Sequence, residues 1–317
     1  MATPAQSLKL AAAPLLGFFN RARLGFPRHY FQGAGGIGDD LLCTAVFHEL
    51  RKRRARGIVV NTQHSDLFRG SPDVDAVIDC PRPRLSRWLR EGLPFVPLSY
   101  ADYDPVTDRD QPPAEHVLAI ICRLAGLTGQ VALRPYLFLA PEERAAGRLA
   151  DKQIVMQSSG QAAAHFMQNK EWLPDRFREV CGRLRETHTI VQIGSAQDPL
   201  LEGAVDLRGQ TSLRQSAAIL TNSAVFIGLV GFLMHLARAV DCRGVIVYGG
   251  RERPEQTGYV ANINLIGNPP CSPCWLRNRC DFDHICMQTI LPEVVFQATR
   301  KQIVKQGIAL ETETALL

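Results

Sequence analysis

Short apolar runs alternate with longer amphipathic stretches from residue 28 to about residue 305. This alternation dictates βαβ units, and therefore parallel sheets covered by helices. Strands are expected at 57–62, 74–78, 153–157, 189–193, 224–227 and 244–248. An apolar helix is expected over 116–127, followed by an extended stretch at 131–138 and a helix opening at 140–144. Pro174 marks the first turn of a helix with Phe177, Val180, Cys181 and Leu184 at i, i+3, i+4 and i+7. Thr211 or Ser212 caps a helix over 213–220, another covers 233–240, and a last one starts near Pro292. The pattern restarts after residues 145–152. The expectation is two Rossmann-like halves, 31–148 and 149–291, with a segment 1–30 before them and a last helix in 292–317. Residues 81–115, rich in Pro, Arg and Asp, read as loops around one short helix at 85–90; such insertions at strand ends often contact a ligand.

The stretch from Phe31 to Arg54 reads as a strand end, a glycine-rich turn and a helix. Leu42, Val46 and Leu50 mark one helical face, and Arg51 to Arg54 suit the negative end of the helix dipole. Gly33, Gly35 and Gly38 fit the spacing G-x-G-x-x-G, which points to a dinucleotide and hence to a nicotinamide oxidoreductase. That fingerprint calls for an acidic residue at the end of the next strand, where this chain has Asn61, Thr62 and Gln63. Asp39 and Asp40 at the helix start would also repel a pyrophosphate. The turn is therefore read as presenting a carboxylate, with a plain N-cap role for Asp39 or Asp40 as the alternative.

The run Gly35-Gly-Ile-Gly-Asp-Asp-Leu-Leu-Cys-Thr44 resembles the opening motif of glycosyltransferase family 9, the ADP-heptose:lipopolysaccharide heptosyltransferase family. Later stretches resemble it too. Lys170-Glu-Trp-Leu-Pro-Asp-Arg-Phe177 is similar to the family's Lys-x-Trp-x-x-x-x-Phe, whose lysine meets the donor diphosphate. Asp206-Leu-Arg-Gly-Gln-Thr-Ser-Leu213 is similar to a family strand–turn–helix, and only recognition value is given to it. Phe226-Ile-Gly-Leu-Val-Gly-Phe-Leu-Met-His-Leu-Ala237 stands where the family has Gly-Asn-Asp-Ser-Gly-Pro-Met-His-Leu-Ala. Here Met234 to Ala237 agree, but Leu229, Val230 and Gly231 replace polar residues that contact the donor. Backbone N–H groups of Gly231 to Leu233, at a helix N-terminus, would then serve the phosphates. His235 is either an orienting or phosphate-contacting residue or a satisfied core histidine. Arg251 or Arg253, after a buried strand, could replace lost phosphate contacts, with solvated arginines as the alternative; Gln256-Thr-Gly258 resembles a family Arg-Thr-Gly turn.

Nine cysteines are present, and 43, 80, 122, 181 and 242 are isolated in apolar contexts. The odd count and these contexts favour a reducing cytoplasm over a disulfide framework. Cys271, Cys274, Cys280 and Cys286 form C-x₂-C-x₅-C-x₅-C, which suits a structural tetrahedral Zn or Fe site with His284 as a spare ligand; reduced or paired thiols are the alternative. The family's autotransporter-modifying subgroup holds iron in a similar loop. With 46% hydrophobic and 21% charged residues, the 317-residue chain is an ordinary globular one. A net charge of +5 fits an anionic ligand or a weak pull toward an anionic membrane face. It is too small and scattered for nucleic acid, and aromatics do not interleave with basic residues. No apolar run reaches the roughly 18 residues of a membrane span; residues 8–19 read as a surface segment touching lipid or a partner, or as a loose terminus.

The resemblance implies an α/β protein of GT-B fold, two Rossmann-like domains facing a central cleft, with the helix in 292–317 crossing back to pack on the first domain. It implies inverting transfer of a sugar, a heptose by family, from a nucleotide-diphosphate donor to a hydroxyl on a glycan, lipopolysaccharide or protein, without a catalytic metal. Asp39 is the expected general base and Lys170 the cation at the diphosphate. Gly36, Gly38, Gly231, Met234, His235 and Arg251 are the other expected donor contacts. A catalytically silent sugar-nucleotide binder or partner subunit is the rival reading, because of Leu229 and Val230.

Overall fold

The computed structural model describes residues 28–33, 35–79, 93–100, 102–161, 163, 165–305 and 307–317, together with Ala22. The apolar stretch 8–19 and the helix expected at 85–90 lie outside those residues. The first lobe opens with β1 (His29–Gln32), α1 (Ile37–Lys52), β2 (Ile58–Thr62), β3 (Ala76–Asp79) and β4 (Val96–Pro97). Its four strands form a parallel sheet in the order β3-β2-β1-β4. An antiparallel hairpin, β5 (Tyr103–Asp104) and β6 (Arg109–Asp110), follows. Then come α2 (Val117–Leu124), β7 (Gln130–Ala132) and α3 (Pro141–Ala146).

The second lobe contains β8 (Gln153–Met156), α4 (Pro174–Leu184), β9 (Thr189–Gln192), β10 (Val205–Asp206), α5 (Leu213–Thr221), β11 (Phe226–Leu229), α6 (Phe232–Ala239), β12 (Gly244–Gly249), α7 (Pro254–Thr257) and β13 (Ile263–Ile266). Its parallel sheet runs β10-β9-β8-β11-β12-β13. Strands β8, β11 and β12 are buried throughout, as expected for strands covered on both faces. Helix α4 buries Phe177, Val180, Cys181 and Leu184, the four residues its spacing selects, and Ser212 caps α5 by accepting from Gln215 N. The chain ends in α8 (Ile285–Gln288), α9 (Pro292–Val304) and β14 (Thr314–Leu316). Helix α9 packs on α4, β12 and β13 of the second lobe, so it does not make the crossing expected of it. The return is made by β14, which pairs antiparallel with β7 of the first lobe. The reason is in the composition: α9 buries Val295, Ala298, Thr299 and Gln302, and Gln302 Nε2 donates to Gly244 O and Ala261 O of its own lobe.

The lobes are not separate bodies joined by a linker. Phe31, Val46 and Phe47 of the first and Phe226, Leu233 and Leu236 of the second belong to one buried apolar cluster. Helix α3 lies on α5 across the junction, and Gly147 allows that approach, since a Cβ there would overlap the Ala218 carbonyl. Gly147→Ala should lower unfolding free energy by about 1–3 kcal/mol, the usual cost of overpacking. Urea titration would read this as an earlier midpoint, and an unchanged midpoint would show that the α3–α5 junction can spread.

In both sheets the strand order reverses beside the first strand of the lobe, between β1 and β4 and between β8 and β11. Open α/β sheets bind ligands outside the carboxyl ends of their strands at such reversals. Here the two reversals open toward one another.

Candidate active site

A cleft of about 510 Å³ lies between these strand ends. The turn after β1 supplies Gly36 to Asp39, and the segment after β4 supplies Tyr100. From the second lobe come Gln157, Ser159 and Gly160 after β8, Gly194 to Asp198 after β9, and Leu229 to Leu233 after β11. Lys170 and Glu171 line it as well. The beginnings of α1 and α6 face each other across it; a Cβ on Gly38 would sit 3.7 Å from Phe232 Cα.

Asp39 and Asp40, adjacent in sequence, have different surroundings. Asp40 turns inward, 1% exposed. It accepts from Thr62 Oγ1 at 2.5 Å and from Gly35 N at 3.3 Å, and pairs with His64 Nδ1 at 2.9 Å. It thus pins the glycine turn and occupies an N–H that a pyrophosphate would need, which argues against the dinucleotide reading. Neither aspartate caps the helix: the N-cap is Gly36, without a side-chain hydrogen bond. Asp39 faces the cleft and accepts from Tyr100 Oη at 2.9 Å. Burial raises its pKa above the ordinary carboxylate value. The Tyr100 hydrogen bond opposes the rise, the Asp40 charge adds to it, and Lys170 and His165 pull back more weakly. Desolvation is the largest influence on Asp39, and it favours proton uptake by the carboxylate.

Lys170 closes the single-turn helix Gln168–Lys170 on the opposite wall. Its Nζ lies 2.6 Å from Glu252 Oε1. Burial lowers the lysine pKa and the Glu252 charge works against that fall. Beside it Glu171 accepts from Ser159 Oγ and Gly160 N, both at 2.7 Å, and burial raises its pKa. Asp198 is held up at about 6 by burial.

The other expected donor contacts divide. Gly36, Gly38, Gly231 and His235 line the cleft with Asp39 and Lys170. His235 Nδ1 pairs with Tyr259 Oη at 2.6 Å, and burial takes its pKa down to about 3, so it serves as a neutral imidazole. Met234 does not reach the cleft. It is fully buried against Tyr248, whose hydroxyl lies 3.6 Å from its sulfur. Arg251 is not a cleft residue either. It is 2% exposed, ion-paired with Asp110 and Glu252, and donates through Nε to Leu276 O at 3.0 Å. Arg253 bonds Asn268 Oδ1 at 2.7 Å and Ser272 O at 3.2 Å. Neither arginine replaces the polar groups missing from the turn after β11.

The cysteine loop runs along the junction of the lobes. Asp108 accepts from the backbone N–H of Asn278 and Arg279 at 2.7 and 2.8 Å. Asn169 Nδ2 donates to Leu276 O and Arg279 O at 3.1 and 2.8 Å. Cys271, Cys274, Cys280 and Cys286 are free, partly exposed thiols. Among the described residues no group of three or more His, Cys, Asp or Glu side chains is arranged to hold a metal ion. The Zn or Fe site expected from the spacing is therefore not formed by these side chains. His284, the expected spare ligand, pairs through Nε2 with Asn169 Oδ1 at 2.9 Å. Polar contacts with Asp108, Asp110 and Asn169 dock the loop at the junction.

Tyr100, Glu171, Asp198 and Glu252 were not singled out from sequence. Only Tyr100 carried a signal, its place in the irregular segment at the strand ends of the first lobe.

Residues 136–285 match the family model described as glycosyltransferase family 9 (heptosyltransferase). No curated protein gives a sequence match. Among solved structures, the chain is similar to E. coli ADP-heptose lipopolysaccharide heptosyltransferase II, with 16% identity and a TM-score of 0.67 over 88% of this chain and 99% of that one. A family 9 glycosyltransferase from Veillonella parvula gives 15% identity and a TM-score of 0.67 over 88% and 98%. The dodecameric iron-containing heptosyltransferase TibC in complex with ADP-D-β-D-heptose gives 16% and 0.64 over 87% and 76%. These likenesses establish the GT-B fold expected from sequence. The family match spans most of the second lobe, and its Lys170 and Gly231 line the cleft together with the glycine turn of the first lobe.

Proposed function

We propose that this glycosyltransferase moves a sugar, a heptose, from a nucleotide-diphosphate donor to an acceptor hydroxyl with inversion at the anomeric carbon. One observation carries the reading: Asp39 and Lys170, on different lobes, line the same cleft. The donor diphosphate is assigned to the second lobe, against Lys170 and the N–H groups at the start of α6. The acceptor hydroxyl is assigned to the first lobe, where Asp39 takes its proton. The acceptor oxygen then bonds to the anomeric carbon as the bond to phosphate breaks, and the electron pair leaves on the diphosphate. Attack from the wall opposite the leaving group gives a single displacement and hence inversion. Lys170 stabilises charge that grows on the leaving group, an interaction stronger in the transition state than before it. ADP-heptose is the donor favoured here because the TibC complex of the same fold holds it. Glycan, lipopolysaccharide and protein hydroxyls are all acceptors of the required chemistry. The free buried thiols of Cys43, Cys122, Cys181 and Cys242 suit action in a reducing compartment.

The apolar wall formed by Leu229, Val230, Phe232 and Leu233 favours one rival, a relative that binds donor without turning it over. A screen of nucleotide sugars for donor cleavage, read by mass spectrometry, separates the two. Cleavage of an ADP-sugar supports transfer, whereas binding with no cleavage of any donor supports the rival.

The raised pKa of Asp39 also sets a pH dependence. A general base must be ionised, so kcat/KM should fall toward acid through an apparent pKa above the ordinary carboxylate value of about 4. Activity that stays level down to about pH 4 would mean that Asp39 is not the base.

A further inference from the structure

The buried groups behind Lys170 form a chain of charges that no sequence motif announces. Glu252, on the turn after β12, is 3% exposed. Its Oε1 meets Lys170 Nζ at 2.6 Å and Arg251 NH1 at 3.2 Å. Arg251 is ion-paired in turn with Asp110 on β6, and Asp110 takes Arg277 of the cysteine loop at 2.5 Å. Three cations thus alternate with two carboxylates, from the hairpin of the first lobe to the floor of the cleft. The other titratable groups facing Lys170 are Asp39 from α1 and His235 from α6, with Arg251 and Asp110 behind Glu252.

We infer that Glu252 is a positioning residue: it holds the Lys170 ammonium charged at the cleft floor and yields it to the donor diphosphate. The inference rests on the assignment of Lys170 above. Burial disfavours the ammonium, and a neutral amine gives a phosphate no positive charge. Glu252 supplies the opposing charge while the cleft is empty; its own carboxyl is held at about 2, where Lys170 and Arg251 outweigh its burial. A diphosphate brings more negative charge than one carboxylate, so the ammonium can turn toward it while Glu252 stays anchored by Arg251.

The test is titration calorimetry of ADP into the full chain from about pH 6 to about pH 10, across the lysine range. Wild type should lose affinity at the alkaline end as Lys170 loses its proton. In Glu252→Gln that loss should begin about one pH unit lower, which is about a tenfold weaker affinity at the same alkaline pH. Lys170→Arg, which keeps its charge, should abolish the alkaline loss. A merely structural Glu252 would change the unfolding midpoint and leave the pH of half-loss unmoved, and that result would overturn the inference. Should Glu252→Gln not fold, Glu252→Asp carries the test: its half-loss should fall below that of wild type, and an identical curve overturns the proposal. Lys170→Met binding ADP like wild type would instead sink the assignment of Lys170. A weak Lys170→Met beside a Glu252→Gln that tracks wild type would sink the positioning role alone.

Discussion

Asp39→Asn should cut sugar transfer by about 10²–10⁴-fold, the usual worth of a positioned general base. The fold should survive. The amide keeps the size of the carboxylate, Tyr100 Oη can still donate to its oxygen, and the buried Asp40 anchor of the glycine turn is untouched. Replacing a half-desolvated carboxylate by a neutral group should even relieve its burial cost, so the thermal midpoint should equal or exceed that of wild type. ADP affinity should change little, because Asp39 serves the acceptor side. The check is initial rates together with a melting curve. Near-normal turnover from a folded Asp39→Asn variant would move the base elsewhere, with Glu171 and Asp198 the other carboxylates lining the cleft.

Lys170→Met should lower kcat by about 10²–10³-fold, the range seen when one preorganised donor to a developing anion is removed. Methionine keeps a long unbranched stem, so packing is largely retained. The variant leaves Glu252 with Arg251 at 3.2 Å as its remaining cation, and some stability should be lost because a buried carboxylate has lost a partner. The kinetic signature separates the two effects. Loss of transition-state stabilisation lowers kcat, whereas loss of ground-state affinity alone raises KM and spares kcat. Rates measured well below the melting midpoint should show the fall in kcat, and an effect confined to KM would reduce Lys170 to a donor anchor.

Legibility from sequence followed sequence separation. The strand–helix alternation and the capped, amphipathic helices are local patterns, and α4 and α5 form where those patterns place them. The glycine turn was legible as a carboxylate-presenting loop with Asp39 as the expected base, but the anchoring of Asp40 was not, because Thr62 and His64 on the neighbouring strand end supply it. Lys170 was found from a local motif, whereas Tyr100 in the cleft and Glu252 behind Lys170 arrive from distant elements with no spacing to betray them. Met234 and Arg251 sit in the right stretches, yet a helix and a turn each aim only some of their side chains at a cleft. The cysteine spacing suggested a metal, while the carboxylates that dock the loop, Asp108 and Asp110, lie in a segment without periodicity. The start of helix α9 was legible at Pro292, but not which lobe would cover the helix.

The most direct test is the structure of the protein bound to ADP. The account predicts the diphosphate in the cleft between the lobes, with an oxygen within about 3 Å of Lys170 Nζ and its terminal phosphate turned toward Asp39. ADP seated instead in the separate crevice lined by Arg69, Glu143 and Arg214, with Lys170 still bound to Glu252 and nothing between the lobes, would contradict it.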